Sequence, residues 1–156
     1  MPAVELAVAE AGSGDPVLLL HGLGSRGDDW ELQREALSRS YRVVIPDLRG
    51  HGESIAPSGE WTMRDVADDV AELLRRRATG PVHVIGLSLG GMVAFQLLAD
   101  HPALVRSAVI INRQITGAHL EVIRDSGHAT PMDQPDALHA VVLPFLTSVA
   151  STRSLA

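Results

Sequence analysis

The chain has 156 residues, 19 acidic and 13 basic side chains, a formal charge of −6 and no cysteine. All 13 basic residues are arginine, which excludes amine chemistry such as Schiff bases and the lysine of a phosphate loop, and the lack of cysteine excludes thiolate nucleophiles, thiolate metal sites and disulfides. The acidic balance argues against binding to nucleic acid or an anionic membrane, since the one cluster of cations is Arg75, Arg76 and Arg77.

The first residues, Met1 to Glu5, lack the basic-then-apolar pattern of a signal peptide, and no apolar run reaches membrane-spanning length. A cytoplasmic protein, folded as one domain over 1–156, is the expectation. Val4, Leu6 and Val8 alternate with Glu5 and Ala7 as a half-buried edge strand, and the turn Gly12 to Pro16 predicts an opening hairpin. Short apolar runs at Val17 to Leu20, Arg42 to Ile45 and Val82 to Ile85 suit central parallel strands, with a fourth at Ser107 to Ile111 and a fifth candidate at Leu120 to Ile123. Thr62 and Asp65 form a capping box ahead of a helix whose apolar stripe is Met63, Val66, Ala67, Val70, Leu73 and Leu74. The three arginines fall in its last turn, where cations complement the helix dipole, so they read as a solvated helix end. Pro135 opens a last helix with Leu138, Val141, Val142, Phe145 and Leu146 on the side facing the sheet and a bend at Pro144. Strands alternating with helices predict an α/β fold: a mostly parallel sheet flanked by helices.

Three segments carry chemistry. Gly86-Leu87-Ser88-Leu89-Gly90-Gly91 joins a strand to a helix-compatible segment from Met92 to Asp100. A serine at such a corner projects its hydroxyl outward, and Gly86 and Gly90 avoid clashes with the neighbouring helix and strand. The helix start also aims the Leu89 N–H at a developing oxyanion. His21-Gly22-Leu23-Gly24 follows an earlier strand, and its Leu23 N–H is the second candidate donor, while His21 itself reads as a structural hydrogen-bonder. Gly127-His128, on a loop past the fifth strand candidate, offers a general base for Ser88.

With Asp47-Leu48-Arg49-Gly50-His51-Gly52-Glu53-Ser54 between the first and second of these segments, the chain resembles the α/β-hydrolase superfamily of esterases, lipases and lactonases. The resemblance implies Ser88 as nucleophile, His128 as base, Leu23 and Leu89 as the oxyanion hole, and the 47–54 loop as scaffold, with His51 and Glu53 supporting the elbow rather than ligating a metal. No metal and no cofactor is implied. A serine at position 88 also argues against the branch whose alkyl-ester chemistry needs an aspartate nucleophile.

The pattern departs from the family after Ile111. Similar proteins carry a lid, a strand ending in the triad acid, and a helix before the histidine, whereas here six residues, Arg113 to Ala118, separate Asn112 from His119 and include no carboxylate. Extended, they span about 20 Å, against the crossover of about a dozen residues that parallel neighbours need. An antiparallel return strands His128 at the far end of the sheet; a parallel return, an end-on segment or exchange of the C-terminal segment between two chains restores it. Among the remaining carboxylates, Glu121, Asp125, Asp133 and Asp136, Asp125 is nearest in the histidine loop and is the candidate acid, and Asn112 could orient the ring without charge. Loss of the acid costs about 10⁴ in turnover in serine proteases without abolishing it.

The expectation is a reduced, lidless α/β-hydrolase fold that hydrolyses a small carboxylic ester, thioester or lactone through an acyl-Ser88 intermediate. The competing expectation is a weak or inactive remnant that serves as a binding or oligomerisation module, with a homodimer formed through the open sheet edge or C-terminal exchange. A longer parent shortened by deletion is a third.

Overall fold

The computed structural model describes residues 1–111, 121, 123 and 125–151. Among the described residues the sheet has five strands: β1 (Val8–Ala11), β2 (Pro16–Leu20), β3 (Arg42–Pro46), β4 (Val82–Leu87) and β5 (Val105–Ile111), in the order β1-β3-β2-β4-β5. β2 pairs in parallel with β3 and β4, and β4 pairs in parallel with β5, as the short continuous apolar runs predict. β1 is antiparallel, but its partner is β3. The expected opening hairpin is therefore wrong, and the strand is Val8–Ala11 rather than one centred on Leu6. The reason lies at Gly12: with φ +74, a Cβ there would sit 2.2 Å from the Tyr41 carbonyl oxygen, so the chain passes tightly under the segment before β3 and cannot double back onto β2.

Both faces of the sheet are covered. α2 (Met63–Arg76) and α3 (Leu89–Asp100) lie on one side, with Val66, Val70, Leu74, Val93 and Leu97 packed against Leu18, Leu20 and Val84. On the other side, α1 (Glu31–Leu37) and α5 (Pro135–Ser151) bring Leu37, Leu138, Val142 and Leu146 against Val17, Leu19, Val43 and Ile45. A 3-10 turn at Gly27–Trp30 leads into α1. A short helix, α4 (Thr130–Asp133), precedes α5. Phe145, expected on the inner stripe of α5, is exposed, because the buried positions repeat at 138, 142 and 146 and leave 145 on the outer flank.

The cap of α2 has the predicted form: Thr62 Oγ1 accepts from the Asp65 N–H at 3.3 Å and Asp65 Oδ2 accepts from the Thr62 N–H at 2.7 Å. The arginines at its end are spent on pairs, Arg76 with Glu72 of the same helix and Arg77 with Glu10 of β1, while Arg75 Nη2 lies 3.1 Å from His101 Nδ1. The fifth strand candidate, Leu120 to Ile123, and the connection from Asn112 to His119 lie largely outside the described residues, although Ile123 packs against the α1–α5 side of the core. Among the described residues, no helix is long and apolar enough to cross a membrane.

Candidate active site

Ser88 stands between β4 and α3 with φ +51 and ψ −109, a conformation that L-residues avoid without compensation. That compensation comes from space left by glycine. A Cβ on Gly86 would meet the Gly90 carbonyl oxygen at 2.5 Å, and one on Gly90 would meet the Leu20 carbonyl oxygen at 2.1 Å. Helix and strand thus approach to backbone contact, and the serine between them is turned out of the sheet. The Ser88 N–H reaches the Ile111 carbonyl at 3.5 Å, and its carbonyl accepts from Met92 N at 3.1 Å. Leu89 opens α3, so its N–H has no acceptor within the helix.

The loop after β2 backs onto this corner. Gly22 is close enough that a Cβ there would lie 3.8 Å from Ser88 Cβ, and Leu23 is exposed beside it. His21 is fully buried. Its Nε2 accepts from the Leu48 N–H at 2.9 Å, so Nδ1 carries the proton and donates to the Gly22 carbonyl at 2.8 Å. With both nitrogens engaged, and with burial holding its pKa below the ordinary 6.5, His21 ties two loops together as a neutral ring. The 47–54 loop is built to the same end. Asp47 accepts from the Gly27 and Glu53 N–H groups at 2.7 and 2.8 Å, and Ser54 Oγ donates to the Asp47 carbonyl at 2.7 Å. His51 donates to the Arg49 carbonyl at 3.0 Å, and buried Arg49 is held at 2.6 Å by Asp69.

Ser88, Leu23 and His128 line one cavity of about 340 Å³, together with Trp30, Leu87, Pro131 and Met132. The structure therefore brings His128 to the same end of the sheet as Ser88. Among the described residues no hydrogen bond joins their side chains, and His128 is exposed in a turn. That turn is fixed from below: Asp133 Oδ2 accepts from the Gly127 N–H at 2.8 Å, and Gln33 Nε2 on α1 donates to the Pro131 carbonyl at 2.8 Å. Asp125 is exposed with φ +56, and its backbone carbonyl accepts from Gln134 at 3.1 Å. Among the described residues its carboxylate has no hydrogen bond to His128. The cavity also holds Ser25 and Asp29, which the sequence offered no signal to find; Ser25 Oγ donates to Asp29 Oδ2.

A family model described as the alpha/beta hydrolase fold matches residues 15–140. The chain is 32% identical over 103 residues to the (E)-2-((N-methylformamido)methylene)succinate hydrolase of Acinetobacter baylyi, an alignment covering 66% of this chain and 39% of that protein. Among solved structures it resembles a thermophilic esterase from Thermogutta terrifontis, with TM-score 0.66 and 41% identity over 69% of this chain and 40% of that one. It also resembles Est816, an N-acyl homoserine lactone degrading enzyme, with TM-score 0.66 and 32% identity over 70% of this chain and 44% of that one. The chain thus spans less than half the length of each of these proteins.

Proposed function

The chain belongs to the alpha/beta hydrolase fold family, and from that premise we propose that it is a serine hydrolase cleaving a carboxylic ester, thioester or lactone through an acyl-Ser88 intermediate. Ser88 Oγ attacks the carbonyl carbon while His128 takes its proton. The tetrahedral oxyanion is held by the N–H groups of Leu23 and Leu89. Collapse expels the alcohol or thiol with the proton returned by His128, and water activated by the same imidazole releases the acid. The observation that carries this reading is the outward-turned Ser88 on a cavity whose wall includes His128. An esterase and a lactone-degrading enzyme among the similar structures agree with the substrate class.

A cavity of about 340 Å³ suits small substrates. With no carboxylate hydrogen-bonded to His128 among the described residues, the imidazolium lacks that support, and turnover is slow. Covalent labelling by an organophosphonate, read by intact mass, tests the mechanism. Labelling is expected to vanish in Ser88→Ala and to slow about 10²- to 10⁴-fold in His128→Ala. A folded wild-type protein that takes no label would overturn it.

A second reading, a binding or pairing module, draws on β5. All seven of its residues are half-buried, and among the described residues it pairs on one side only, with β4. Sedimentation over a concentration series separates the two: edge pairing requires a dimer that grows with concentration, and a monomer throughout counts against it.

A further inference from the structure

The cavity beside Ser88 carries a charge that the acyl-transfer mechanism does not use. Asp29 lies in its wall, at the end of the loop that also presents Leu23, and is the one carboxylate among the described lining residues. The nearest cation in sequence, Arg26, is committed to Asp28 at 2.7 Å, and among the described residues Asp29 has no ion pair. Its known partners are the Ser25 hydroxyl, which donates to one carboxylate oxygen, and the 3-10 turn, where its N–H reaches the Arg26 carbonyl at 3.2 Å. The carboxylate is thus held in place without being neutralised.

The apolar part of the lining, beside Ser88 and His128, sharpens the effect. Leu23, Leu87, Pro131 and Met132 offer a substrate no hydrogen bond from their side chains, and Trp30 adds an indole that is 1% exposed with its Nε1 unpartnered. An apolar wall lowers the local dielectric and lets a single fixed charge act further than it would in water. A cation entering this space meets the Asp29 carboxylate, whereas an anion is repelled by it and finds as side-chain donors the Ser88 hydroxyl, the His128 imidazole and the buried indole N–H of Trp30.

From this arrangement we infer that the site selects substrates carrying a positive charge, an ammonium or quaternary ammonium group close to the scissile ester, and that Asp29 is the residue that selects them. The inference rests on the serine-hydrolase reading for the word substrate, but the charge preference is a property of the cavity and can be read without turnover.

Choline and its uncharged carbon isostere, 3,3-dimethylbutanol, have nearly the same shape and differ in charge. Their binding to the full chain, titrated by saturation-transfer NMR at low and high salt, gives a ratio of dissociation constants. Choline is expected to bind about threefold to fivefold more tightly at low salt, the scale of a partly screened charge pair, with the ratio falling toward one as salt rises. In Asp29→Asn the ratio is expected to collapse, and in Glu60→Gln, which removes an equal charge from an exposed position outside the cavity wall, to persist. A wild-type ratio near one, a ratio indifferent to salt, or one that survives Asp29→Asn overturns the inference. If Asp29→Asn does not fold, the wild-type ratio and its salt dependence decide alone. Turnover of p-nitrophenyl acetate, run in parallel, speaks to the other reading. Hydrolysis with a ratio near one sinks the charge preference and leaves the hydrolase, while a clear ratio with no hydrolysis of that ester or of acetylcholine does the reverse.

Discussion

At Gly90 the site and the fold depend on a single missing atom. A methyl group there would stand 2.1 Å from the Leu20 carbonyl oxygen and 2.5 Å from its carbon, and both are backbone atoms of a central strand that cannot swing aside. Gly90→Ala must therefore push α3 away from β2, and since Ser88 is held between them, the hydroxyl moves with the helix. The expected cost is about 3 kcal/mol or more, seen as a lower urea midpoint, together with loss of phosphonate labelling. Gly24 gives the contrast. It has φ +72 but nothing within 4 Å of the position of a Cβ, so Gly24→Ala bears only the left-handed backbone penalty of about 1 kcal/mol and should keep labelling. Equal destabilisation of the two variants would show that crowding at the corner is not what fixes Ser88.

Among the elements, those that sequence made legible are those specified by neighbours in the chain. The Thr62–Asp65 cap, the β4 run and the Gly-x-Ser-x-Gly corner are each set within about one turn of chain, and each stands where the residues predicted. α1 was not legible. Seven residues long, it buries only Leu37 and the amide of Gln33, and a buried glutamine breaks the apolar period that marks a helix. The pairing of β1 with β3, and the ion pair of Arg49 with Asp69, depend on segments brought together by topology and leave no local trace. α1 is also the element that the histidine loop rests on, through the hydrogen bond from Gln33 Nε2 to the Pro131 carbonyl. Gln33→Met removes that bond but also removes the buried Oε1, which has no partner, so the two effects on stability oppose one another. The expected outcome is a thermal midpoint shifted by no more than the equivalent of about 1 kcal/mol, with Ser88 labelling slowed several-fold because the turn bearing His128 is released. Unchanged labelling would show that α4 and α5 hold the turn without α1.

On the scale of the whole molecule, the position of His128 follows from the packing of the last helix. Leu138, Val142 and Leu146 seat α5 on the sheet, α4 follows from where α5 begins, and His128 is delivered to the cavity two residues before α4. A fold assembled this way has a pH response that can be worked out from its wholly and partly buried imidazoles. His21, His83 and His139 are all held below their ordinary value of 6.5, with burial the largest cause in each; the field of Arg106 lowers His83 further, and His51 does the same for His21. The folded state therefore binds fewer protons than the unfolded state at pH values just below 6.5. Stability is then complete above the unfolded value and is lost as pH falls from there toward the folded values, by up to about 1.4 kcal/mol per pH unit for each histidine. The carboxylates act elsewhere: Glu31 and Asp100, lowered by hydrogen bonds from Arg34 and from Gln96 with Arg64, lose their contribution only below their ordinary 4.5 and 3.8. Urea midpoints measured from pH 8 to 5 should be level in the upper part of the range and decline below 6.5. In His83→Gln, which keeps an amide within reach of Ser107 and removes one titrating ring, the decline should be shallower. A wild-type curve level down to pH 5 would mean that these rings are as well solvated in the folded chain as in the unfolded one, and the burial argument would fail with it.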